Sequence, residues 1–195
     1  MNIQRQWFLG IAGALLSIMA IVSVAFGQAA HIRWDIVSIN FDTGTLSAGG
    51  IASALAEDNS QITMTGSGTF VAPAGGEGTS SAVTGGGTWA TEGSIGSASG
   101  TYVVTGLVRW EEAPGTLAGL TDTIGDLADA RAGLAILRIA YSDGDRGILV
   151  VPCHLGGTPD TIFEGITASK GFVDFWNRVP PMPGVDANFT LFHVE

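Results

Sequence analysis

Residues 61–71 read QITMTGSGTFV. Ile62, Met64 and Phe70 take even positions, with Gly66 and Gly68 between them. Gln61, Thr63, Thr65, Ser67 and Thr69 take the odd ones. Successive side chains on a strand point to opposite faces, so this spacing sorts apolar and hydroxyl residues onto separate sides. It predicts a half-buried antiparallel strand with one wet face.

The same period runs through the chain on either side. Strands are predicted over 31–41, 48–56, 82–91, 101–111, 132–142, 146–155, 160–176 and 187–194. Residues 57–60, Glu-Asp-Asn-Ser, make a turn, and Asp143-Gly144 suits a tight hairpin. Pro180, Pro181 and Pro183 form a stiff connection. Two stretches break the rhythm: a Gly/Ser-rich segment near 72–82, expected to be flexible, and a long loop near 112–131. In the latter, Leu117, Leu120, Ile124 and Leu127 have some helical spacing, but Gly119 and Gly125 weaken a helix. A loop of that length often serves as a lid or an edge cover. The expectation is one all-β domain of about eight or nine antiparallel strands, a barrel or a sandwich. Glycines inside strands favour the coiling of a barrel.

Residues 1–27 carry Arg5 and then no charge from Trp7 to Phe26. Ala25 and Gly27 stand where a peptidase needs small residues, so a signal peptide cleaved before Gln28 is expected. The run approaches the ~20 residues that cross a bilayer, so an uncleaved signal anchor is the alternative. Residues 28–195 then form the exported domain, with an extracellular or periplasmic location. Of 195 residues, 29 are glycine and one is cysteine, so no internal disulfide can form. Formal net charge is −10 with eight basic residues. That balance argues against nucleic acid, whose binding needs clustered Lys and Arg, and against a membrane surface beyond the leader. A leader followed by Gly- and Thr-rich strands resembles, in architecture only, small extracytoplasmic barrels of the lipocalin or dirigent type. No motif of either family is present, and the resemblance transfers no residue role.

Cys153 and His154 are neighbours on a predicted strand, so their side chains point to opposite faces. Cys153 joins Leu149, Val151 and Leu155, the setting of a buried thiol rather than a nucleophile. His154 is free to line a cavity, to donate to a backbone carbonyl or to serve as a general base. Over 162–176, a single strand places Glu164, Lys170 and Asp174 on one face with Phe172 and Trp176, whereas a bend or bulge at Gly165 or Gly171 would change that parity. That row is either a solvent face laced by ion pairs or a polar patch in a pocket. Arg109 and Arg138 sit within apolar strands, and an inward arginine needs an acidic partner such as Glu164 or Asp174. The candidate ligand-binding residues are therefore His154, Glu164, Lys170, Asp174, Trp176, Arg109 and Arg138. No histidine spacing of a metal site, calcium loop, nucleophile elbow, phosphate loop or dinucleotide fingerprint occurs, so no metal or cofactor is expected.

The first expectation for function is an exported, non-enzymatic β-domain that binds a small apolar or amphipathic ligand in a barrel mouth. It fails if large side chains fill every inward face. The alternatives are an enzyme (hydrolase, isomerase or cyclase) built on His154, Glu164 and Asp174, and a structural or adhesive envelope protein.

Overall fold

A computed structural model describes residues 29–73 and 78–195. The expected leader, and residues 74–77 of the expected flexible segment, lie outside the described residues. Among the described residues no helix is long and apolar enough to cross a membrane.

The chain is all-β, with fourteen strands among the described residues. They are β1 (Ala30–Asn40), β2 (Thr45–Ala48), β3 (Ala52–Leu55), β4 (Gln61–Met64) and β5 (Ser67–Ala72), followed by β6 (Gly86–Glu92), β7 (Ala98–Ala113) and β8 (Thr121–Asp122). A single 3-10 turn, Leu127–Asp129, leads into β9 (Ala130–Tyr141) and β10 (Arg146–Cys153). The short strands β11 (Thr167–Lys170), β12 (Val173–Phe175) and β13 (Asn177–Arg178) precede β14 (Phe189–Val194).

Six strands close a ring in the order β1, β14, β9, β7, β6, β5 and back to β1, every pair antiparallel. The molecule is thus a six-stranded barrel with outer strands. On one side β4, β3 and β13 continue from β6, and on the other β10, β11 and β12 continue from β9. β2 lies on the second half of β1 and carries β8 in parallel.

Large side chains fill the ring. Phe70 from β5, Trp110 from β7 and Phe192 from β14 meet with centroids 4.6–6.5 Å apart. Ile32, Trp34 and Ile36 of β1 are also fully buried. Aromatic edges packed this way add to the burial of their area. These aromatics occupy the centre of the ring, below the mouth where a ligand was expected.

Strand boundaries depart from expectation where glycines let the sheet turn. The stretch 61–71 keeps its predicted faces, with Ile62, Met64 and Phe70 buried. It is nonetheless two strands: β4 pairs with β3 and β6, and β5 with β1. The break is at Thr65-Gly66, where a Cβ on Gly66 would lie 2.1 Å from the Tyr102 hydroxyl. Residues 48–56 divide likewise at Gly49-Gly50, the first at φ 89°. In β7 two register shifts interrupt the alternation. Leu107 is buried and Val103 is 56% exposed, which strict period two does not give. The predicted long strand 160–176 does not form: only β11 and β12 are strands, joined at Gly171 with φ 59°. In 112–131 the chain makes β8 and the 3-10 turn. Leu117, Leu120 and Ile124 pack on the core, and Leu127 is exposed.

Truncating the ring's contents tests the packing. Phe192→Ala should cost about 3–5 kcal/mol in urea unfolding. Trp176→Ala, at a side chain 58% exposed, should stay within about 0.5 kcal/mol. Equal costs for the two would contradict a barrel packed through its centre.

Candidate functional site

A cleft of about 270 Å³ lies on the outside of the barrel, beneath the segment that joins β7 to β8. Val37, Ile39 and Leu46 of β1 and β2, with Phe189 and Leu191 of β14, form one wall. Thr116, Leu117, Ala118 and Leu120 of the strap form the other. His154, Leu155 and Gly156, with Glu164 and Thr190, close one end. Most of the lining is apolar, and the polar side chains gather at that end.

The strap is held at both ends. Thr116 bridges Gly156, and Thr121 and Asp122 pair with Thr45 and Leu46. The Asp122 carboxylate then accepts the Ile124 N–H at 2.8 Å and meets Nε2 of His193 at 2.8 Å. Both side chains of that pair are buried. Gly125 lets the imidazole approach: a Cβ there would sit 2.8 Å from the ring. Leu117 and Leu120, three residues apart in the sequence, are the largest side chains the strap presents to the cleft.

The polar end is organised by Glu164. Its Oε2 accepts the main-chain N–H of His154 at 2.5 Å, and its Oε1 accepts the N–H of Thr190 at 2.5 Å. The Thr190 hydroxyl lies 3.0 Å from Oε1 and also donates to the Pro152 carbonyl. Glu164 as a residue is half-buried, but its carboxyl group is enclosed by these partners. Burial pushes its pKa up to about 8, against the opposing pull of the His154 and Thr190 donors and of Arg178. The hydroxyl geometry agrees. Thr190 has one proton to give and Pro152 receives it, so the contact with Oε1 is favourable when Glu164 carries a proton.

His154 is gripped by the same segment. Its Nδ1 lies 2.7 Å from the Ile162 carbonyl. A carbonyl only accepts, so Nδ1 holds the hydrogen. Nε2 has no protein partner among the described residues and is the nitrogen left for an occupant of the cleft. Cys153 points the other way into the core and is fully buried, which raises its thiol pKa well above the usual value.

The seven residues singled out from the sequence fall in several places. His154 and Glu164 come together in the cleft. Lys170 does not join them: it binds the hairpin acids Asp143 and Asp145 and lies 4.5 Å above the Trp89 ring. The turn Asp143-Gly144-Asp145 is thus the acidic partner of the chain's lone lysine. Asp174 is exposed on β12, and Trp176 follows it, exposed. Arg109 points outward to Glu111 at 2.7 Å, and Arg138 is exposed on β9. Glu164 and Lys170 share no face because the strand expected to carry both is broken before β11. Sequence reading missed Thr190, Leu46 and Phe189, which carry no signal of their own; β14 was foreseen as a strand, but its neighbours were not.

No family model, curated protein or solved structure matches this chain. Among the described residues no group of three or more His, Cys, Asp or Glu is placed to hold a metal ion.

Glu164 gives a pH signature. Its native pKa lies above the ordinary 4.5, so the folded state binds the proton more tightly than the unfolded chain. That contribution is complete below about pH 4.5 and is lost as pH rises towards about 8. Urea unfolding between pH 5 and 8 should show stability falling with pH in the wild type. Glu164→Gln should flatten the slope in this window, and an unchanged slope would place the titrating group elsewhere.

Proposed function

We propose that this protein is an exported β-domain that binds a small amphipathic molecule in the cleft between the strap and the barrel wall. The observation that carries the reading is the asymmetry of the cleft. Val37, Ile39, Leu46, Leu117, Leu120 and Phe189 line it, while its few polar residues are His154, Glu164, Thr190 and Thr116, the first three joined through the Glu164 carboxyl. Ligand sites combine such apolar walls with a few polar groups that fix orientation. When His154 is neutral, Nε2 accepts, so the occupant would carry a hydroxyl or N–H at its polar end. The volume is below the ~300–1,000 Å³ usual for small-molecule sites, which suits a compact molecule or one protruding arm. The uncharged run before residue 28 supports an extracellular or periplasmic setting.

One observation favours a second reading, an enzyme. His154 Nε2 and the proton-bearing carboxyl of Glu164 line the same cleft, and an acid and a base in one apolar site can serve proton transfer. Asp174, expected with them, lies elsewhere. The enzyme reading therefore rests on two groups rather than three.

N-phenyl-1-naphthylamine, uncharged and with one N–H, is a suitable probe. Its fluorescence should rise and saturate with the wild type. Leu120→Trp should abolish binding by filling the cleft, and His154→Phe should weaken it roughly fivefold, the worth of one hydrogen bond. Non-saturating fluorescence, or equal binding by all three proteins, would end the binding proposal. An ester or ketone recovered chemically changed from the wild type but not from His154→Phe would favour the enzyme.

A further inference from the structure

Of the chain's eight basic residues, seven are described, and most are already engaged. Arg33 holds Asp35, Arg109 holds Glu111, Arg131 holds Glu112, and Lys170 holds Asp143 and Asp145. Arg178 lies on the Phe163 ring, 4.6 Å from its centroid, and donates to the Glu164 carbonyl. Arg138 and Arg146 remain. Among the described residues neither has a carboxylate within 4.0 Å, and both line one hollow of about 290 Å³ on the opposite side of β9 from the barrel core.

The register explains the meeting. Arg138 of β9 stands beside Ile148 of β10, and Arg146 stands beside Ala140. The two arginines are therefore diagonal neighbours on one outer face, within reach of each other's long side chains. Like charges so placed repel, and in a chain of net charge −10 an acidic neighbour was available by composition. None is provided. The backbone of Gly147 and Gly171 also lines the hollow; a Cβ on Gly147 would turn to the other face of β10, against the Ser169 carbonyl, and one on Gly171 would meet the Asp145 carboxylate at 3.4 Å. The Arg138 guanidinium lies close over Gly106, where a Cβ would come within 3.4 Å of it. Ser169 completes the rim. Its Oγ accepts the Ile148 N–H at 3.0 Å, so its own hydrogen is free to donate. The adjoining turn acids face Lys170 instead.

We propose that this hollow is a site for a tetrahedral oxyanion, a phosphate or sulfate group, held between the guanidinium forks of Arg138 and Arg146 with Ser169 donating. Planar guanidinium donors match such oxygens two at a time. The site shares no residue with the cleft of His154, so either proposal can fail alone.

Amide NMR on the full domain, titrated with inorganic phosphate at constant ionic strength, tests it. Saturable shifts are expected at Gly106, Gly147, Ser169 and Gly171. Arg138→Gln and Arg146→Gln should each weaken binding about tenfold or more, the loss of a charged hydrogen bond. Arg109→Gln, whose cation is already paired, should leave it unchanged. Phenyl phosphate binding more tightly than inorganic phosphate would mark an ester of a larger molecule as the ligand. Equal affinity would mark the free anion. Shifts that grow linearly without saturation, or an equal loss in Arg109→Gln, would overturn the proposal.

Discussion

The structure turns on a fork in its sheet that backbone alone cannot close. One edge of β9 is shared: β14 pairs with it at Ala130 and Arg131, and β10 takes over from Gly133. Where β10 and β14 separate, the N–H groups of His154 and Thr190 lose strand partners. A buried donor left unpaired costs about 1–3 kcal/mol. The carboxyl of Glu164 enters the gap and accepts from both. Thr190 completes the join through Pro152. The barrel can thus close through β14 while β10 departs to carry the outer sheet.

That solution decides where a binding site can lie. The ring is occupied by Phe70, Trp110, Phe192 and Trp34, and the cleft lies where elements meet on its outside. The strap supplies the second surface. It is laid along β1, β2 and β14 by β8 and fastened by the buried contact of Asp122 with His193. The cleft is bounded by the strap on one side and ends at the fork. Its polar end is therefore made of the groups that close the sheet.

Much of the architecture was legible in local sequence, because period two and turn chemistry act over a few residues. Ile62, Met64 and Phe70 are buried as their spacing requires, and Asp143-Gly144 turns the hairpin. Gly165 and Gly171 marked a bend in 160–176, but the strand breaks at Gly49-Gly50 and Thr65-Gly66 were not legible. Each depends on what approaches from elsewhere: the Val37 carbonyl at Gly50, the Tyr102 hydroxyl at Gly66. The site was half legible for the same reason. His154 stood out by its rarity and Glu164 by its apolar surroundings. Their meeting depends on a segment that crosses the fork as irregular chain, for which alternation has no rule. Reading that segment as a strand put Glu164 with Lys170 and Asp174, which the structure separates.

Glu164 and His154 do not weigh equally as signs of function. A carboxyl that must accept two orphan N–H groups would be needed here even if nothing ever entered the cleft, so its burial and raised pKa follow from the fold. His154 is different. Its N–H to Glu164 is main-chain and could come from any residue but proline, while its ring bond to Ile162 uses one nitrogen and leaves Nε2 without a partner among the described residues, on a side chain that lines the apolar cleft. The sheet does not require that nitrogen. It is the surplus group of the site, and it, with the apolar walls, carries the functional reading.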